Sequence, residues 1–413
     1  MTPPDHAPTL FSPFDITDSI RVPNRFFKSA MSEVMAKQGI NLPTQDHIKV
    51  YERWSMGGTA VLVTGNVMID RTALGEPGNV VLEQGTDLAP FKEWTEAVRA
   101  ANPDGQFWMQ INHPGKQSPK FLTPQPVAPS AVALGQGLDA AFARPRALEP
   151  GEILEIIERF AQTAKLAQTA GFDGVQIHGA HGYLVNQFLS PHHNRREDAW
   201  GGSPAKRRAF VLEILRAIRR EVGAQFPVSI KMNSADFQKG GFEGADAQEL
   251  IRALSDEGID LIEISGGNYE SPAMTGARQS TKAREAYFLD FAAQARALTD
   301  VPIVVTGGFR SVAGMEEALA SGATDFVGIA RALTVDPELP QNAARDPNYY
   351  CEVGRATTGI RKLDKMFMLA ITYYETQIRR MANGKDPDPN ISPWWAVVQS
   401  AWALGAAAFR KRR

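Results

Sequence analysis

Strand-like and helix-like segments alternate along most of this chain, and no other feature constrains its fold as much. Amphipathic stretches such as 152–170 and 204–222 carry apolar residues at i, i+3, i+4 and i+7, which predicts helices. Several of them end at a glycine that is followed directly by the next apolar run. The eight predicted strands are 25–31, 60–67, 106–112, 174–178, 228–233, 261–265, 302–306 and 325–330.

Eight such units predict a closed (β/α)8 TIM barrel rather than an open doubly wound sheet, which usually has fewer strands. Within the strands, polar residues such as Gln110, Lys231 and Glu263 alternate with apolar ones toward the carboxyl end. This pattern indicates a barrel whose mouth is lined with functional side chains. An antiparallel sheet with one face in water is the alternative, and the intervening helices argue against it.

Segments outside the repeating units complete the predicted architecture. Residues 1–335 are expected to form the barrel, with a hairpin over 10–23 that closes its bottom. The stretch 113–150 is too long for an ordinary loop and is expected to be a functional insertion over the site. Residues 336–413 are expected to be a helical extension packed on the barrel or on a partner, with one final helix and an irregular tail over 336–390.

Composition excludes several classes of protein. The 413 residues include 44 Lys plus Arg and 46 Asp plus Glu, so no basic field attracts nucleic acid. The single cysteine, Cys351, excludes an intramolecular disulfide and a multi-thiolate metal centre, and it fits a reducing compartment. The first ten residues have neither a basic nor an apolar stretch typical of a secretory signal. We therefore expect a cytoplasmic protein.

The last segment has aromatic residues at helical spacing, including Trp394 and Trp402, followed by the basic residues 410–413. One interpretation is a helix that lies on a membrane surface. The other is a helix packed on the barrel or on a second copy of the chain in a homo-oligomer. No stretch reaches the roughly 20 apolar residues that a membrane-spanning helix needs.

Histidines are concentrated after the fourth predicted strand. Four of the seven, His178, His181, His192 and His193, lie within sixteen positions, and Tyr183 lies among them. Loops at this end of barrel strands carry active sites. Imidazole donors could converge on a carbonyl or phenolate oxygen with Tyr183 as proton donor, two histidines could bind zinc, or the histidines could satisfy loop carbonyls. The pattern leaves these three interpretations open.

Two further sets of residues suggest a charged ligand. Gly307-Gly308 follow the seventh predicted strand and Ala330-Arg331 follow the eighth, where barrels commonly bind phosphate. Lys231 lies at an inward strand position. Its amine could form a Schiff base, as in a barrel lyase, or place a positive charge beside an electron-rich cofactor.

Four longer motifs occur in a specific order, and together they resemble the Old Yellow Enzyme family of flavin-dependent NAD(P)H oxidoreductases. The resemblance covers about residues 10–336. Ser32 departs from the pattern, since the family usually has Thr or Cys there, and Lys231 stands where Arg is commoner. The motifs are NRFFKSAMS over 24–32, QINHPG over 110–115, HGAHGYLVNQFLSP over 178–191 and NRREDAWGGS over 194–203.

The resemblance implies a barrel that binds FMN without a covalent bond, with NADH or NADPH as the reductant of the flavin. It implies that the Ser32 hydroxyl touches the O4 and N5 edge and that Lys231 stabilises the reduced flavin. No metal is implied. The expected FMN contacts are Ala30, Met31 and Ser32 along the ring, Gly65 and Gln110 at the pyrimidine side, Lys231 near N1 and O2, and Gly307, Gly308, Ala330 and Arg331 at the phosphate.

The implied reaction is a ping-pong reduction of the activated C=C bond of a small enone-type substrate. His178 and His181 would hold the carbonyl oxygen, and Tyr183 would protonate the adjacent carbon. Three alternatives remain at this stage. They are a flavin oxidase or desaturase that runs the reverse reaction, a lyase that uses Lys231, and a metal-dependent hydrolase that uses the histidines.

Overall fold

Eight parallel strands close into a barrel in the computed structural model, which describes residues 9–135, 137–271, 285–354 and 356–410. The barrel order is β3, β4, β7, β10, β11, β12, β13 and β14, with β14 returning to β3. The strands of the described chain are β1 (Phe14–Thr17), β2 (Ile20–Val22), β3 (Phe26–Lys28), β4 (Val61–Val63), β5 (Val67–Met68), β6 (Val80–Val81), β7 (Gln106–Asn112), β8 (Val127–Ala128), β9 (Arg146–Ala147), β10 (Gly174–Gly179), β11 (Val228–Asn233), β12 (Leu261–Ser265), β13 (Ile303–Thr306) and β14 (Phe326–Ile329).

Closure of these strands confirms the predicted TIM barrel. Every barrel strand overlaps one of the eight predicted segments, although several strands are shorter than their apolar runs. Single backbone hydrogen bonds to the neighbouring strand continue just beyond some strand ends, as from the Thr64 N–H to the Trp108 carbonyl oxygen. β13 illustrates the composition of these strands, because its Ile-Val-Val-Thr sequence is β-branched throughout and its first three residues are buried.

Helices surround the barrel, and those that connect consecutive strands bury apolar residues against it. In the longest of them Ile153, Ile157, Phe160 and Ala164 lie on the buried face at helical spacing. The helices of the described chain are α1 (Gln45–Met56), α2 (Ala89–Ala101), α3 (Pro150–Thr169), α4 (Leu184–Leu189), α5 (Pro204–Val222), α6 (Gly244–Asp256), α7 (Leu289–Arg296), α8 (Val312–Ala320), α9 (Arg331–Val335), α10 (Leu339–Arg345), α11 (Arg361–Met366), α12 (Leu369–Ala382) and α13 (Pro393–Arg410).

An N-terminal hairpin closes the bottom of the barrel, as the sequence predicts. β1 pairs with β2 in antiparallel register, with Phe14 opposite Val22. Ile16 and Val22 are buried in one apolar cluster with Phe27 and Phe326 from the barrel strands. Because this cluster fills the amino ends of the strands, the carboxyl ends remain as the open mouth of the barrel.

The long stretch after β7 contains two short 3₁₀ turns, Gly115–Gln117 and Leu138–Ala140, and the paired strands β8 and β9. It packs on the histidine-rich loop that follows β10. The Gln117 side-chain amide donates to the His181 carbonyl oxygen at 3.0 Å. The stretch therefore contacts the loop in which the predicted catalytic residues lie.

The prediction of one helix and an irregular tail over 336–390 was wrong. This region contains α10, α11 and α12. Polar residues interrupt the apolar pattern of α12, yet they are buried: the amide of Gln377 donates to the Asp388 carbonyl oxygen at 2.8 Å. Since hydrogen bonding makes such burial tolerable, this helix could not be recognised from apolar periodicity alone.

The last helix, α13, packs on α12 through Ala396 and Val397, which join a cluster with Leu369 and Tyr373. On its other side Trp394 is 46% exposed. Within the described part of the chain, no helix is both long and apolar enough to cross a membrane. Trp402, the other aromatic residue singled out by its spacing, lies in α13, but its side chain is outside what the structure describes.

Candidate active site

Polar side chains from neighbouring strands form a continuous hydrogen-bonded layer inside the barrel. The strand register places Gln110 level with Gln176, and Lys231 level with Glu263. The Gln110 amide donates to Gln176 at 2.7 Å, and the Gln176 amide donates to a Glu263 carboxylate oxygen at 2.9 Å. The predicted inward alternation of polar residues thus forms one connected network.

Lys231 is buried and forms an ion pair of 2.8 Å with Glu263. Burial by itself would raise the pKa of Glu263, but the Lys231 charge and hydrogen bonds lower this pKa overall. The Thr306 hydroxyl also donates to Glu263, at 2.7 Å. An ammonium group held in an ion pair at this distance is not a nucleophile. The ion pair therefore favours the interpretation of Lys231 as a fixed positive charge over a Schiff-base role.

The local chain geometry brings His178, His181 and Tyr183 together at the carboxyl end of β10. His181 takes a positive φ of 61°, an uncommon backbone conformation for a residue with a side chain. The two imidazole rings lie 5.2 Å apart between centroids, and the Tyr183 ring lies 4.8 Å from that of His178. Sequence reasoning grouped these three residues correctly, and the turn between them explains how they converge.

Both imidazoles are neutral at physiological pH. Burial lowers the pKa of each ring well below its usual value; the neighbouring His181 and then Lys231 add to this effect for His178, and Lys231 adds to it for His181. His178 Nδ1 accepts the Ala180 N–H at 3.3 Å, so its proton is assigned to Nε2. His181 Nε2 lies 2.8 Å from the Ser265 hydroxyl. A neutral ring with one N–H is a hydrogen-bond donor for a ligand oxygen.

A metal interpretation of this histidine pair finds little support in the geometry. Among the described residues, the one group of three potential metal ligands is His192, His193 and Glu270. The ammonium of Lys116 lies 2.8 Å from His193 Nδ1, and a nearby cation opposes metal binding. The sequence cluster of four histidines is therefore divided between two places in the fold.

Tyr183 has a second tyrosine as its neighbour. Its hydroxyl lies 3.0 Å from the hydroxyl of Tyr269, in the loop after β12. Burial and the charge of Glu76 raise the pKa of Tyr183, so its phenol remains protonated. A buried, protonated phenol beside two neutral imidazoles can donate a proton to a ligand held by those rings.

The chain after β3 places Ala30, Met31 and Ser32 at the rim of the barrel mouth. The Ser32 Oγ lies 2.7 Å from carboxylate oxygens of both Glu76 and Glu375. Glu375 belongs to α12, so the C-terminal extension reaches this rim.

Gly65 has a structural role at the neighbouring strand end. A Cβ there would lie 2.6 Å from the Met31 carbonyl oxygen, so no larger residue fits. Its N–H donates to Glu33 at 3.1 Å, and its carbonyl oxygen accepts from the Thr64 hydroxyl at 2.8 Å. Both backbone groups of Gly65 are therefore engaged inside the protein.

The predicted phosphate-binding residues meet at the ends of β13 and β14. Gly308 has a φ of +82°, and a Cβ on Gly307 would lie 2.8 Å from the Tyr287 backbone nitrogen. Ala330 caps α9, and the Arg331 guanidinium lies over the Tyr374 ring at 5.7 Å. Within the described ranges, the N–H groups of Gly307 and Gly308 donate to no acceptor. These unpaired donors suit an anion.

Sequence reasoning assigned no role to four residues of this site. Glu263 was visible in the polar alternation of the predicted strand 261–265, and Tyr269 lies four positions after the end of that strand. Glu76 and Glu375 had no local signal, because folding alone brings them to Ser32. A loop residue after a barrel strand can be suspected from sequence, whereas a helix that folds back over the barrel cannot.

Comparison with known proteins agrees with this geometry. The sequence model of the NADH:flavin oxidoreductase / NADH oxidase family matches residues 9–348. The NADH-dependent flavin oxidoreductase iliE of Neonectria sp. is 39% identical over 81% of this chain, and the chain spans about half of that relative, 47%. The iliE protein of Hypocrea jecorina is 37% identical over 80% of this chain and 87% of its own length.

Among solved structures, morphinone reductase superposes with a TM-score of 0.71 at 25% identity, over 86% of this chain and 93% of its own. Fold, motifs and sequence similarity thus agree, and the resemblance to the Old Yellow Enzymes is confirmed. The chain belongs to the NADH:flavin oxidoreductase / NADH oxidase family, as an enzyme whose cofactors are FMN and a nicotinamide nucleotide that reduces it.

Proposed function

We propose that this enzyme reduces the activated C=C bond of α,β-unsaturated carbonyl compounds in a ping-pong cycle. The observation that carries the proposal is the pair of neutral imidazoles, His178 and His181, beside the protonated phenol of Tyr183. Such donors polarise a carbonyl without transferring a proton to it. The polarised carbonyl makes its β-carbon accept hydride.

The buried polar atoms of the barrel mouth fit FMN. The Gln110 amide oxygen and both amide atoms of Asn112 are buried and have no partner within the described chain. Buried polar atoms without hydrogen bonds destabilise a folded protein, and a bound ligand can supply the missing partners. The polar edge of a flavin offers donors and acceptors for this purpose. The N–H groups of Gly307 and Gly308, which have no acceptor among the described residues, and the Arg331 charge suit its phosphate.

The positions of the other residues at the barrel mouth suggest their contacts with FMN. Lys231, fixed by Glu263, would place its charge beside the N1 and O2 edge. Ala30, Met31 and Ser32 would line the ring. Gly65 would contribute only van der Waals contact, since its N–H and carbonyl are engaged.

In this proposal NADH or NADPH binds first and leaves, and the substrate then enters the same pocket. Bound FMN supplies the hydride for the β-carbon. His178 Nε2–H and the His181 ring hold the substrate oxygen, and the Tyr183 hydroxyl delivers its proton to the α-carbon. Tyr269 lies 3.0 Å from that hydroxyl and orients it. The product is the saturated carbonyl compound.

An anaerobic stopped-flow experiment tests the proposal. NADH or NADPH should bleach the flavin absorbance, and 2-cyclohexenone should restore it. The His178→Ala plus His181→Ala variant should keep its FMN but lose most of the enone-driven recovery and bind phenols weakly. A reduced flavin that recovers only with oxygen would refute the proposal and favour an oxidase or a desaturase.

A further inference from the structure

Ser32 is held between two carboxyl groups that come from distant parts of the chain. Its Oγ lies 2.7 Å from both carboxylate oxygens of Glu76 and 2.7 Å from Oε1 of Glu375. Glu76 lies in the loop between β5 and β6. Glu375 lies on α12, beyond residues 9–348 that match the family model. The contact is therefore a feature of this chain's C-terminal extension.

A single hydroxyl cannot satisfy two ionised carboxylates, because it has one hydrogen to donate. If the Ser32 hydroxyl donates to one carboxylate, the contact with the other needs a protonated carboxyl that donates to the Ser32 oxygen. Two carboxylates that share a site do not both ionise readily, since each repels the charge of the other. The geometry thus corresponds to a pair that holds one proton.

The surroundings of the pair favour the same state. Burial, followed by the charges of Glu375 and Glu33, raises the pKa of Glu76 to about 7. Burial also raises the pKa of Glu375, against a smaller opposing effect of Arg379. Among the described residues, the phenols of Tyr183 and Tyr269 also face the pair; they interact with the Glu76 charge and remain protonated.

We propose that Glu76 and Glu375 share one proton across Ser32 and that their remaining negative charge makes the substrate pocket select neutral carbonyl compounds over analogues that carry a carboxylate. The proposal rests on the proposed function, and it specifies the substrate class. Two observations place the pair beside the substrate. Ser32 lies at the rim of the barrel mouth, and Glu76 acts electrostatically on Tyr183, whose ring contacts His178.

The expected selectivity follows from charge. A carboxylate that enters the pocket meets a fixed negative charge in a site of low dielectric constant, where repulsion is stronger than in water. Protonation of the pair weakens that repulsion, so discrimination should be smaller at about pH 6 than at about pH 8. Replacement of either glutamate by glutamine should relieve it at both pH values.

Binding of two matched phenols to the oxidised holoenzyme tests this selectivity. The long-wavelength charge-transfer band would be titrated with 4-hydroxybenzaldehyde and with 4-hydroxybenzoate. Glu76→Gln and Glu375→Gln should each lower the ratio of the benzoate Kd to the benzaldehyde Kd by about fivefold or more, on the scale of one interacting charge. Because the ratio is compared between proteins, the different acidities of the two phenols cancel.

A matched control is Asp386→Asn, which removes one negative charge from the same extension. Asp386 is 86% exposed in its side chain and pairs with Arg53, away from Ser32. The ratio of the benzoate Kd to the benzaldehyde Kd should be the same in the Asp386→Asn variant as in the unmodified enzyme. A ratio that is unchanged in both glutamine variants overturns the selectivity proposal and leaves the proposed function intact. Failure of the neutral phenol to bind at all refutes the proposed function and this proposal together.

Thermal unfolding of the apoprotein tests the shared proton without any flavin. Glutamate has a pKa of about 4.3 in an unfolded chain, and the folded pair binds a proton up to about pH 7. Stability from this pair is thus fully present below about pH 4.3 and is lost as the pH rises through 7. Glu375→Gln should therefore raise the Tm more at about pH 8 than at about pH 5.5. A Tm difference that does not change with pH overturns the shared proton.

Discussion

At the scale of single residues, burial and close partners determine which groups of the site carry charge. His178 and His181 are neutral because burial disfavours their charged forms. Lys231 has a carboxylate partner inside the barrel. Tyr183 remains a phenol because its surroundings oppose ionisation. In the proposed reaction, these states let the imidazoles donate hydrogen bonds, the lysine supply a positive charge and the tyrosine act as the acid.

Replacement of Tyr183 by phenylalanine should slow the enone-driven reoxidation of the enzyme more than its reduction by NADH. In the proposed cycle the Tyr183 phenol serves only the half-reaction that needs a proton at carbon, and positioned acids contribute roughly a hundredfold or more in rate. Stopped-flow absorbance measures the two half-reactions separately. Tyr373→Phe, which removes a hydroxyl bonded to the Pro389 carbonyl, is the matched control. Equal slowing of both half-reactions would contradict the proposed role of Tyr183 as the general acid.

Glu263→Gln should destabilise the apoprotein by about 3 kcal/mol at neutral pH, because Lys231 would remain buried without its counter-charge. The pKa of Glu263 is lowered in the folded chain, so the stability it contributes is present above about pH 4.3 and is lost as the pH falls below that value. The Tm difference between the two proteins should shrink in acid.

Exposed Glu317 on α8 provides the control substitution for this measurement. Glu317→Gln should leave the Tm nearly unchanged at every pH. If Glu263→Gln lowers the Tm at neutral pH by no more than Glu317→Gln does, the buried ion pair does not stabilise the fold.

At the scale of elements, helices outside the repeating units complete the rim of the barrel. α12 carries Glu375 to Ser32 and places the Tyr374 ring under the Arg331 guanidinium. α13 makes its contacts with α12, where Ala396 and Val397 cover Tyr373. Of the two helices, α12 contacts residues of the site, and α13 supports α12 from outside.

A chain that ends at Pro393 should retain its FMN and lose stability. Removal of the rest of α13 exposes apolar surface of Leu369 and Tyr373 at a cost of about 25 cal/mol per Å². The proposed FMN contacts lie on other elements and stay in place. The ratio of flavin to protein absorbance after dialysis measures the first effect, and the Tm measures the second. Loss of FMN from the shortened chain would assign α13 a part in cofactor binding.

At the scale of the whole molecule, the barrel has an apolar bottom and a polar mouth. The hairpin residues Ile16 and Val22 fill the bottom, and the layer from Gln110 to Glu263 occupies the lumen above it. The single cysteine, Cys351, is 3% exposed and lies beside the Ala332 carbonyl oxygen. Its reactivity therefore reports on the integrity of the fold around the last barrel unit.

Cys351 should not react with a thiol reagent in the native protein. Burial, followed by the charge of Asp336, raises the pKa of this thiol to about 12, so almost no thiolate exists at about pH 8. Dithionitrobenzoate should label none of the native chain and one thiol per unfolded chain, as measured by absorbance. Rapid labelling of the folded holoenzyme would contradict the buried position.

Sequence patterns alone predicted the eight-stranded barrel, and they grouped His178, His181 and Tyr183 at the end of β10. Hydrophobic periodicity and the glycines that end helices are local signals, and the motifs around His178 and Tyr183 lie within single segments. Three contacts are visible only in the folded chain: Lys231 pairs with Glu263, the Gly65 N–H donates to Glu33, and Glu375 reaches Ser32. Those contacts join residues far apart in the chain, and their energies depend on distance and burial, which no local pattern records.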